Sequence, residues 1–453
     1  MFKAFQAAVR AARRHDDLYF AALLDQQCIE EAFGTATSTC KAWLYKPWVT
    51  LWVFLSQCLS PDHSCRDAVA RFVAWRSAQG QRPCSPDTGG YCTAREQLPE
   101  EACHLLVRNT GRSAEDDAPP EWRWKGRRVR TVDGSTITMP DTPENQAEYP
   151  QLSSQRRGCG FPIARILVVF SLAVGTVLEA AIGPYEGKET GENSLFRKLH
   201  DSLAEGDVVL ADRYFSGWCD LALLVARGVD VVVRKHQRRK TDFRTGKRLG
   251  HDDHVVTWSK PACPKWMSPE EYATLPKFLS LRETRVRVWQ PGFRTKELLI
   301  ITTLMNPTEY TADEIAELFR RRWQAELNLR DLKIALQMDQ LRCKTPHRVR
   351  NEFWVHLLAY NLIRRTMAVA AFHGDTRPWR VSFKGAFQTL NQFLPLFSLA
   401  TSVELICETL ARCIVAHVVG NRQDRYEPRV RKRRPKEYDL MTKPRAEYKR
   451  QAA

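Results

Sequence analysis

Residues 319–333 read Phe319-Arg-Arg-Arg-Trp-Gln-Ala-Glu326-Leu-Asn-Leu-Arg-Asp-Leu-Lys333, and the rest of the chain is organised around them. Thr311 followed by Glu314 is a capping box, which predicts that a helix begins just before this stretch. On a continuous helix, four side chains would lie within roughly 60° of one another: Phe319, Arg322, Glu326 and Lys333. An apolar stripe would run beside them: Leu318, Ala325, Leu329, Leu332 and Leu336.

This helix edge would carry one carboxylate between two cations. Such an edge is suited to hold a metal ion and a phosphate together. The same pattern also fits a solvated amphipathic helix with ion pairs between residues four apart. A longer pattern is needed to decide between the two interpretations.

The composition indicates a folded protein that binds a polyanion. The 453 residues are 43% hydrophobic and carry 69 Lys+Arg against 52 Asp+Glu, a formal charge of +17. Such an excess favours nucleic acid or an acidic membrane surface as a partner. We find no run of about 20 apolar residues and no apolar signal core. The 13 cysteines lack CxxC spacing, so we expect reduced thiols in a cytoplasmic protein rather than a disulfide frame or a zinc site.

Changes in hydrophobic periodicity and composition along the chain predict an α/β protein built from five parts. The parts are a helical N-terminal domain (1–120), an α/β core (121–234 and 304–345), a mainly β insertion (235–303), a C-terminal helical region (346–420) and a basic tail (421–453). The first core segment predicts the order β-β-β-α-β-α-β, a mixed sheet with helices on its faces. The insertion opens with a basic run that includes Arg234, Lys235, Arg238 and Arg239. The tail contains Arg431, Lys432, Arg433 and Arg434, and we expect it to stay disordered until it meets nucleic acid.

Two acids follow predicted strands, Asp133 after Thr131-Val132 and Asp212 after Val208–Ala211. Sites form where strands of such sheets end. Together with Glu326, these carboxylates would supply the oxygen ligands that two Mg²⁺ ions need for in-line phosphoryl transfer. Each aspartate alone also fits a structural role, because Asp133-Gly134 is a common turn pair and Asp212 could cap the next helix.

Three segments together resemble bacterial insertion-sequence transposases with an Asp-Asp-Glu triad. The segments are Thr131-Val-Asp-Gly-Ser-Thr136, Val208-Val-Leu-Ala-Asp-Arg-Tyr-Phe215 and Arg322-Trp-Gln-Ala-Glu-Leu-Asn-Leu-Arg-Asp-Leu-Lys333. The subgroup that includes the insertion-sequence-four type carries the signature Tyr-x2-Arg-x3-Glu-x6-Lys. This chain matches its spacing but has Phe319 in place of the tyrosine, which removes a hydroxyl donor.

The resemblance implies a ribonuclease-H-like catalytic core that binds terminal inverted repeats, cleaves DNA at the element ends and joins them to target DNA. Asp133, Asp212 and Glu326 would be catalytic metal ligands for Mg²⁺, with Mn²⁺ as a substitute. The residues that would contact DNA are Arg322, Lys333, Phe319, Trp289, Arg238, Arg239 and Arg433. The protein would act as a homodimer in a synapse.

In relatives a tryptophan of the β insertion holds a flipped base. Trp289 is the candidate for this role, with Trp258 second, although each also fits a packed strand residue. The N-terminal helices would either bind DNA ends or serve only for packing.

Other interpretations remain open at this point. The cluster His251-Asp252-Asp253-His254 alternates faces on an extended chain, so we expect a polar loop and not a metal site. A Mg²⁺-dependent nuclease without strand transfer also fits the sequence. An inactive DNA-binding repressor derived from a transposase fits less well, because the three acids are intact.

Overall fold

The computed structural model describes residues 1–14, 24, 26–34, 44–287, 297–397, 399–420 and 439–452. The chain divides into two compact units. The first consists of Met1–Gly126, Val169–Glu179 and Glu326–Val419. The second consists of Arg127–Val168, Ala180–Ala325 and Gly420–Ala453.

The helices and strands are numbered in chain order. The strands are β1 (Val129–Thr138), β2 (Ile163–Ser171), β3 (Val177–Pro184), β4 (Val208–Ala211), β5 (Asp230–Arg234), β6 (Lys247–Gly250), β7 (Asp253–Ser259), β8 (Phe278–Arg287) and β9 (Glu297–Thr302). The α-helices are α1 (Phe2–Arg14), α2 (Gln26–Phe33), α3 (Pro47–Cys58), α4 (Cys65–Ala78), α5 (Gly89–Glu96), α6 (Glu100–Asp116), α7 (Pro143–Glu148), α8 (Glu192–Lys198), α9 (Trp218–Ala226), α10 (Pro269–Thr274), α11 (Ala312–Arg320), α12 (Trp323–Arg330), α13 (Pro346–His373), α14 (Phe383–Phe393), α15 (Val403–Ala416) and α16 (Arg445–Ala452). None of the described helices is long and apolar enough to cross a lipid bilayer.

A mixed sheet has the strand order β3-β2-β1-β4-β5-β9-β8-β7-β6, and all of it except parts of β2 and β3 belongs to the second unit. β4 lies between β1 and β5 and is parallel to both. The neighbours β5–β9, β9–β8, β8–β7 and β7–β6 are antiparallel. All four residues of β4 are buried, as expected for a central parallel strand covered on both faces. The mixed α/β architecture predicted from the sequence is confirmed, and the strands of the 235–303 segment continue the same sheet.

The first unit is built around α13, a 28-residue helix that is buried along most of its length. It packs against α3, α6, α14 and α15. Asn361 in α13 donates to the carbonyls of Val107 in α6 (3.0 Å) and Val177 (2.8 Å), and its side-chain oxygen accepts the Val177 N–H (2.7 Å). Gly111 is needed at this junction, because a Cβ there would lie 2.0 Å from the Val177 carbonyl oxygen.

The helix predicted from Thr311 to Lys333 is not continuous, which corrects the expectation from the sequence. Its start is confirmed, since Thr311 and Glu314 form the capping box. The helix then ends at Arg320, and the N–H of Arg322 bonds to the carbonyl of Phe319 (3.1 Å), a three-residue spacing that tightens the chain before α12. No glycine or proline stands between 308 and 345, so packing and not local propensity sets this break.

A π-helical turn, Asp331–Ala335, comes directly after α12. The N–H of Leu336 bonds to the carbonyl of Asp331, five residues earlier (3.1 Å). One extra residue in a turn rotates the residues beyond it by about 100°. The stretch from Phe319 to Lys333 is therefore not one regular α-helix.

Two further expectations are wrong in part. Asp253 and His254 are buried residues of β7 and not part of a polar loop. In the tail, Arg445–Ala452 forms α16, because the segment after Pro444 consists of good helix formers. Glu447 of this helix pairs with Arg156 (3.0 Å).

Candidate active site

Asp133 and Asp212 come together through the register of two parallel strands. Thr131 of β1 pairs with Leu210 of β4. If this register is continued by two residues, past the end of β4, Asp133 falls beside Asp212. In-register neighbours in a sheet direct their side chains to the same face, about 4.8 Å apart along the hydrogen-bonding direction. The structure therefore brings these two predicted ligands to one level of the sheet.

The structural roles considered for the two aspartates do not apply. β1 continues to Thr138, so Asp133 lies inside a strand, neither at its end nor in a turn. The Asp133 carboxylate accepts the N–H of Gly134 (2.9 Å). Asp212 immediately follows β4 and precedes a short 3₁₀ turn, but its side chain makes no capping hydrogen bond. Within the described residues the Asp212 carboxylate has no hydrogen bond or ion pair, so its oxygens remain open to a ligand.

Glu326 and Lys333 belong to the first unit, whereas Asp133 and Asp212 belong to the second. Glu326 lies in the first turn of α12 and Lys333 in the π-helical turn, and both are half-buried. The convergence of Glu326 with the two aspartates thus stays a prediction.

The donor atoms of the aspartate pair are of the type that binds a divalent cation. Carboxylate oxygens are the ligands that Mg²⁺ and Mn²⁺ prefer. In the part of the chain that the structure describes, no three His, Cys, Asp or Glu side chains are grouped closely enough to hold a metal ion. A complete site would therefore need a further ligand beside Asp133 and Asp212.

The row that contains the two aspartates continues onto a third strand. Ala211 of β4 pairs with Val233 of β5, so the next residues in register are Asp212 and Arg234. Burial lowers the pKa of the Arg234 guanidinium, the charges of Arg213 and Arg322 lower it further, and the charge of Asp212 opposes the shift. The charges of Asp212 and of Arg322, a predicted phosphate contact, thus both act on Arg234.

Glu192, the first residue of α8, is a third acid of this region that was not predicted from the sequence. A Cβ on Gly134 would lie 2.6 Å from the Glu192 carboxyl, so the glycine lets that group approach the backbone beside Asp133. Burial raises the pKa of Glu192, with the nearby Arg165 opposing the shift and the charge of Asp212 adding to it. Its position at a predicted helix start gave no sign of this role, because the approach depends on how α8 packs against β1.

Trp258 is a packed strand residue. Its indole N–H donates to Glu283 (3.3 Å), and the guanidinium of Arg239 lies 3.8 Å from the centre of its ring. The ring is buried, so Trp258 does not offer a face to a flipped base. Trp289, the first candidate for that role, lies outside the described residues.

The predicted basic DNA contacts divide into different environments. Arg238 is exposed at the start of the insertion, whereas Arg239 stacks on Trp258. Lys235 is buried and bonds to both oxygens of Glu283 (2.7 and 2.6 Å), so it is not a surface cation of the basic run. Phe319 is only 6% exposed, and Arg433 lies outside the described residues.

Comparisons of the sequence with known proteins point to transposases. Residues 124–362 match the family described as "Transposase DDE domain", a segment that contains Asp133, Asp212 and Glu326. The chain is 26% identical over 363 residues to the transposase InsG for insertion sequence element IS4 of Escherichia coli (strain K12), covering 77% of each chain. It is 34% identical over 98 residues to the putative transposase InsL for insertion sequence element IS186A of the same organism, covering 21% of this chain and 26% of that one.

Among solved structures, the chain is similar to a piggyBac transposase synaptic complex with hairpin DNA. The TM-score is 0.43 at 10% sequence identity, with 90% of this chain and 87% of that chain covered.

Proposed function

Because the chain belongs to the DDE transposase family and is a DNA transposase, we propose that it mobilises an insertion-sequence element by cutting DNA at the element ends and joining them to a target. The observation that carries this proposal is the row formed by Asp133 and Asp212 inside the family domain. Two adjacent carboxylates at one level of a parallel sheet, one of them without a protein partner among the described residues, are an arrangement that a structural role does not explain. Since the matched relatives are bacterial, the substrate would be DNA of a bacterial nucleoid in the cytoplasm.

DDE transposases use divalent metal ions, and we propose Mg²⁺ as the ion of this protein, with Mn²⁺ as a substitute. Asp133, Asp212 and Glu326 would hold it. When bound, a pair of such ions stabilises the attacking and leaving oxygens of a phosphoryl displacement. The chain's own contribution is to supply oxygen ligands from two strands and a helix and to keep the two aspartates at a fixed spacing.

The DNA would be held by cations on several elements. Arg322 and Lys333 would bind phosphates near the scissile bond, and Arg238, Arg239 and Arg433 would bind the flanking backbone. Trp289 would stack on an unpaired base. A homodimer would pair the two element ends, so that each protomer acts on one end.

The acids are tested by three single variants: Asp133→Ala, Asp212→Ala and Glu326→Ala. Each should abolish cleavage of a duplex that carries the terminal inverted repeat flanking the gene, while leaving binding in Ca²⁺ largely intact, because the acids hold the ion and not the DNA. Asp201→Ala and Glu317→Ala are matched controls, since both side chains are exposed acids outside the row and should leave cleavage unchanged.

Cleavage and strand joining would be followed with Mg²⁺, with Mn²⁺ and with excess chelator. If one of the three variants cuts at the wild-type rate, that residue is not a ligand. Robust cutting in chelator would remove the metal mechanism altogether. Cutting without joining would identify a nuclease.

A further inference from the structure

Two arginines of the second unit lie next to Asp212, one along the sheet and one along the chain, and the charge of a third, Arg322, acts on the first of them. Arg234 ends β5 in register with Asp212, and Arg213 is the next residue after Asp212. Arg213 and Arg322 both depress the pKa of Arg234, which requires their charges to lie near its guanidinium. Of these three, only Arg322 belongs to the signature of the family, so Arg213 and Arg234 have no assigned role.

Other arginines at comparable positions in this sheet are paired with acids. Arg130 of β1 pairs with Asp207 (2.9 Å), and Arg282 of β8 forms two bonds to Asp253 (2.8 and 2.6 Å). Arg234 is half-buried, yet its guanidinium makes no hydrogen bond or ion pair with any residue that the structure describes. A partly desolvated cation without a partner and beside two like charges is unfavourable in the free protein.

The alternation of side chains along the chain separates Arg234 from the rest of the basic run. Lys235 points to the opposite face and is bonded to Glu283 and to the Thr241 hydroxyl (2.6 Å). Arg213 uses one nitrogen to donate to Gln237 (2.9 Å), and its other nitrogens make no hydrogen bond with the residues that the structure describes. Arg234 and Arg213 are therefore the cations next to Asp212 along the sheet and along the chain, and the charge of Arg322 also acts on Arg234.

We infer that Arg234 and Arg213 bind a phosphate group of the DNA strand that passes Asp212, an inference that rests on the proposed function. A guanidinium presents two parallel N–H donors that match two phosphate oxygens. The phosphate would neutralise the cluster, and Arg234 would gain the anionic partner that the described part of the protein does not supply. Its place in the row Asp133–Asp212–Arg234 sets that phosphate one strand away from Asp212 and two strands away from Asp133.

The test uses Arg234→Gln, Arg234→Lys and the charge-matched control Arg227→Gln. Arg227 is an exposed cation of the same unit that pairs with Asp201 (2.6 Å) away from the row. The probe is a duplex with the sequence that flanks the gene, in which single phosphates are replaced in turn by neutral methylphosphonates. Binding is measured in Ca²⁺ and single-turnover cleavage in Mn²⁺.

We expect Arg234→Gln to lower the cleavage rate about 10- to 100-fold, the range for a lost hydrogen bond to a charged group. Arg234→Lys should fall in between, because it keeps the charge and loses the fork. One methylphosphonate should slow the wild-type protein by a similar factor and slow Arg234→Gln much less. Arg227→Gln should leave the rate unchanged and retain the wild-type response to every methylphosphonate.

Melting temperature separates this role from a structural one. Arg234→Gln should melt no lower than the wild type, since it removes an unpaired cation; a clearly lower melting temperature would make Arg234 a structural residue. If Arg234→Gln does not fold, Arg234→Lys carries the same comparison. If every methylphosphonate slows cleavage by the same factor in Arg234→Gln as in the wild type, Arg234 contacts no phosphate and the inference is wrong.

Failure of the proposed function is a separate result. If the wild-type protein cuts neither end in Mn²⁺, the transposition proposal fails while the binding data still decide on Arg234. If one methylphosphonate weakens binding of the wild type but not of Arg234→Gln, the inference holds even without cleavage. If no methylphosphonate does so, the inference is wrong.

Discussion

Phe319 stands where the signature given by the resemblance has a tyrosine, and its burial favours an apolar ring. It lies near the end of α11 together with the buried residues Ile315 and Leu318. The helix packs against β5 and β8. A hydroxyl on this buried ring would be withdrawn from water, and an unpaired buried polar group is costly.

We expect Phe319→Tyr to lower the free energy of unfolding by about 1–3 kcal/mol, because the new hydroxyl would be buried without a partner. Phe161→Tyr is the control, since Phe161 is 65% exposed and its hydroxyl would be solvated. Melting temperature and end cleavage are measured on the same preparations. An unchanged melting temperature with faster cleavage, up to roughly tenfold for about 1.4 kcal/mol, would instead place the hydroxyl on a DNA phosphate.

At the scale of elements, Arg282 joins the outer strands of the sheet to the segment that leads into α11. Its guanidinium bonds to Asp253 of β7 and donates to the carbonyls of Tyr310 (2.6 Å) and Leu304 (3.3 Å). It is fully buried, so every one of these groups is shielded from water. The start of α11 is therefore positioned by a side chain of the 235–303 segment.

We expect Arg282→Met to lower the free energy of unfolding by about 3–5 kcal/mol, because it leaves the Asp253 carboxylate buried without its cation. Arg287→Met on the same strand removes an arginine that is more than half exposed and should cost no more than about 1 kcal/mol. Urea unfolding of both variants checks the difference. Equal costs would show that the buried bonds do not stabilise the sheet.

At the scale of the whole molecule, the excess of positive charge is spread over several parts of the chain. The cations behind the net charge of +17 include Arg213 and Arg234 next to Asp212, the basic run of the insertion and the basic cluster of the tail. Cations that neutralise phosphates release counterions, which makes DNA affinity fall with salt. The cluster Arg431, Lys432, Arg433 and Arg434 lies outside the described residues, so its contribution has to be measured in solution.

Replacing Arg431, Lys432, Arg433 and Arg434 together by glutamine should weaken binding to all duplexes alike. The slope of log affinity against log salt should become shallower by up to about 0.9 for each phosphate that the variant no longer neutralises. Affinities for an end duplex and a scrambled duplex are compared between about 50 and 200 mM salt. An unchanged slope would show that this cluster does not touch DNA.

Local sequence was sufficient for the features that depend on near neighbours. The capping box at Thr311 and the buried strand β4 result from short-range propensity and side-chain periodicity, and the structure has them where they were predicted. The contexts of Asp133, Asp212 and Glu326 predict them as metal ligands, and the family match spans all three; their role stays a prediction.

Tertiary structure alone decided which side chains meet. The row of Asp133, Asp212 and Arg234 depends on the pairing of three strands that are distant in sequence, and a shift of one residue would send each side chain to the other face. The break at Arg321 and the π-helical turn at Asp331–Ala335 could not be predicted from the sequence, because no glycine or proline lies near either of them. Lys235 is buried against Glu283, whereas the preceding Arg234 has no partner among the described residues. This difference also results from packing, because the acid that pairs with Lys235 is distant in the sequence.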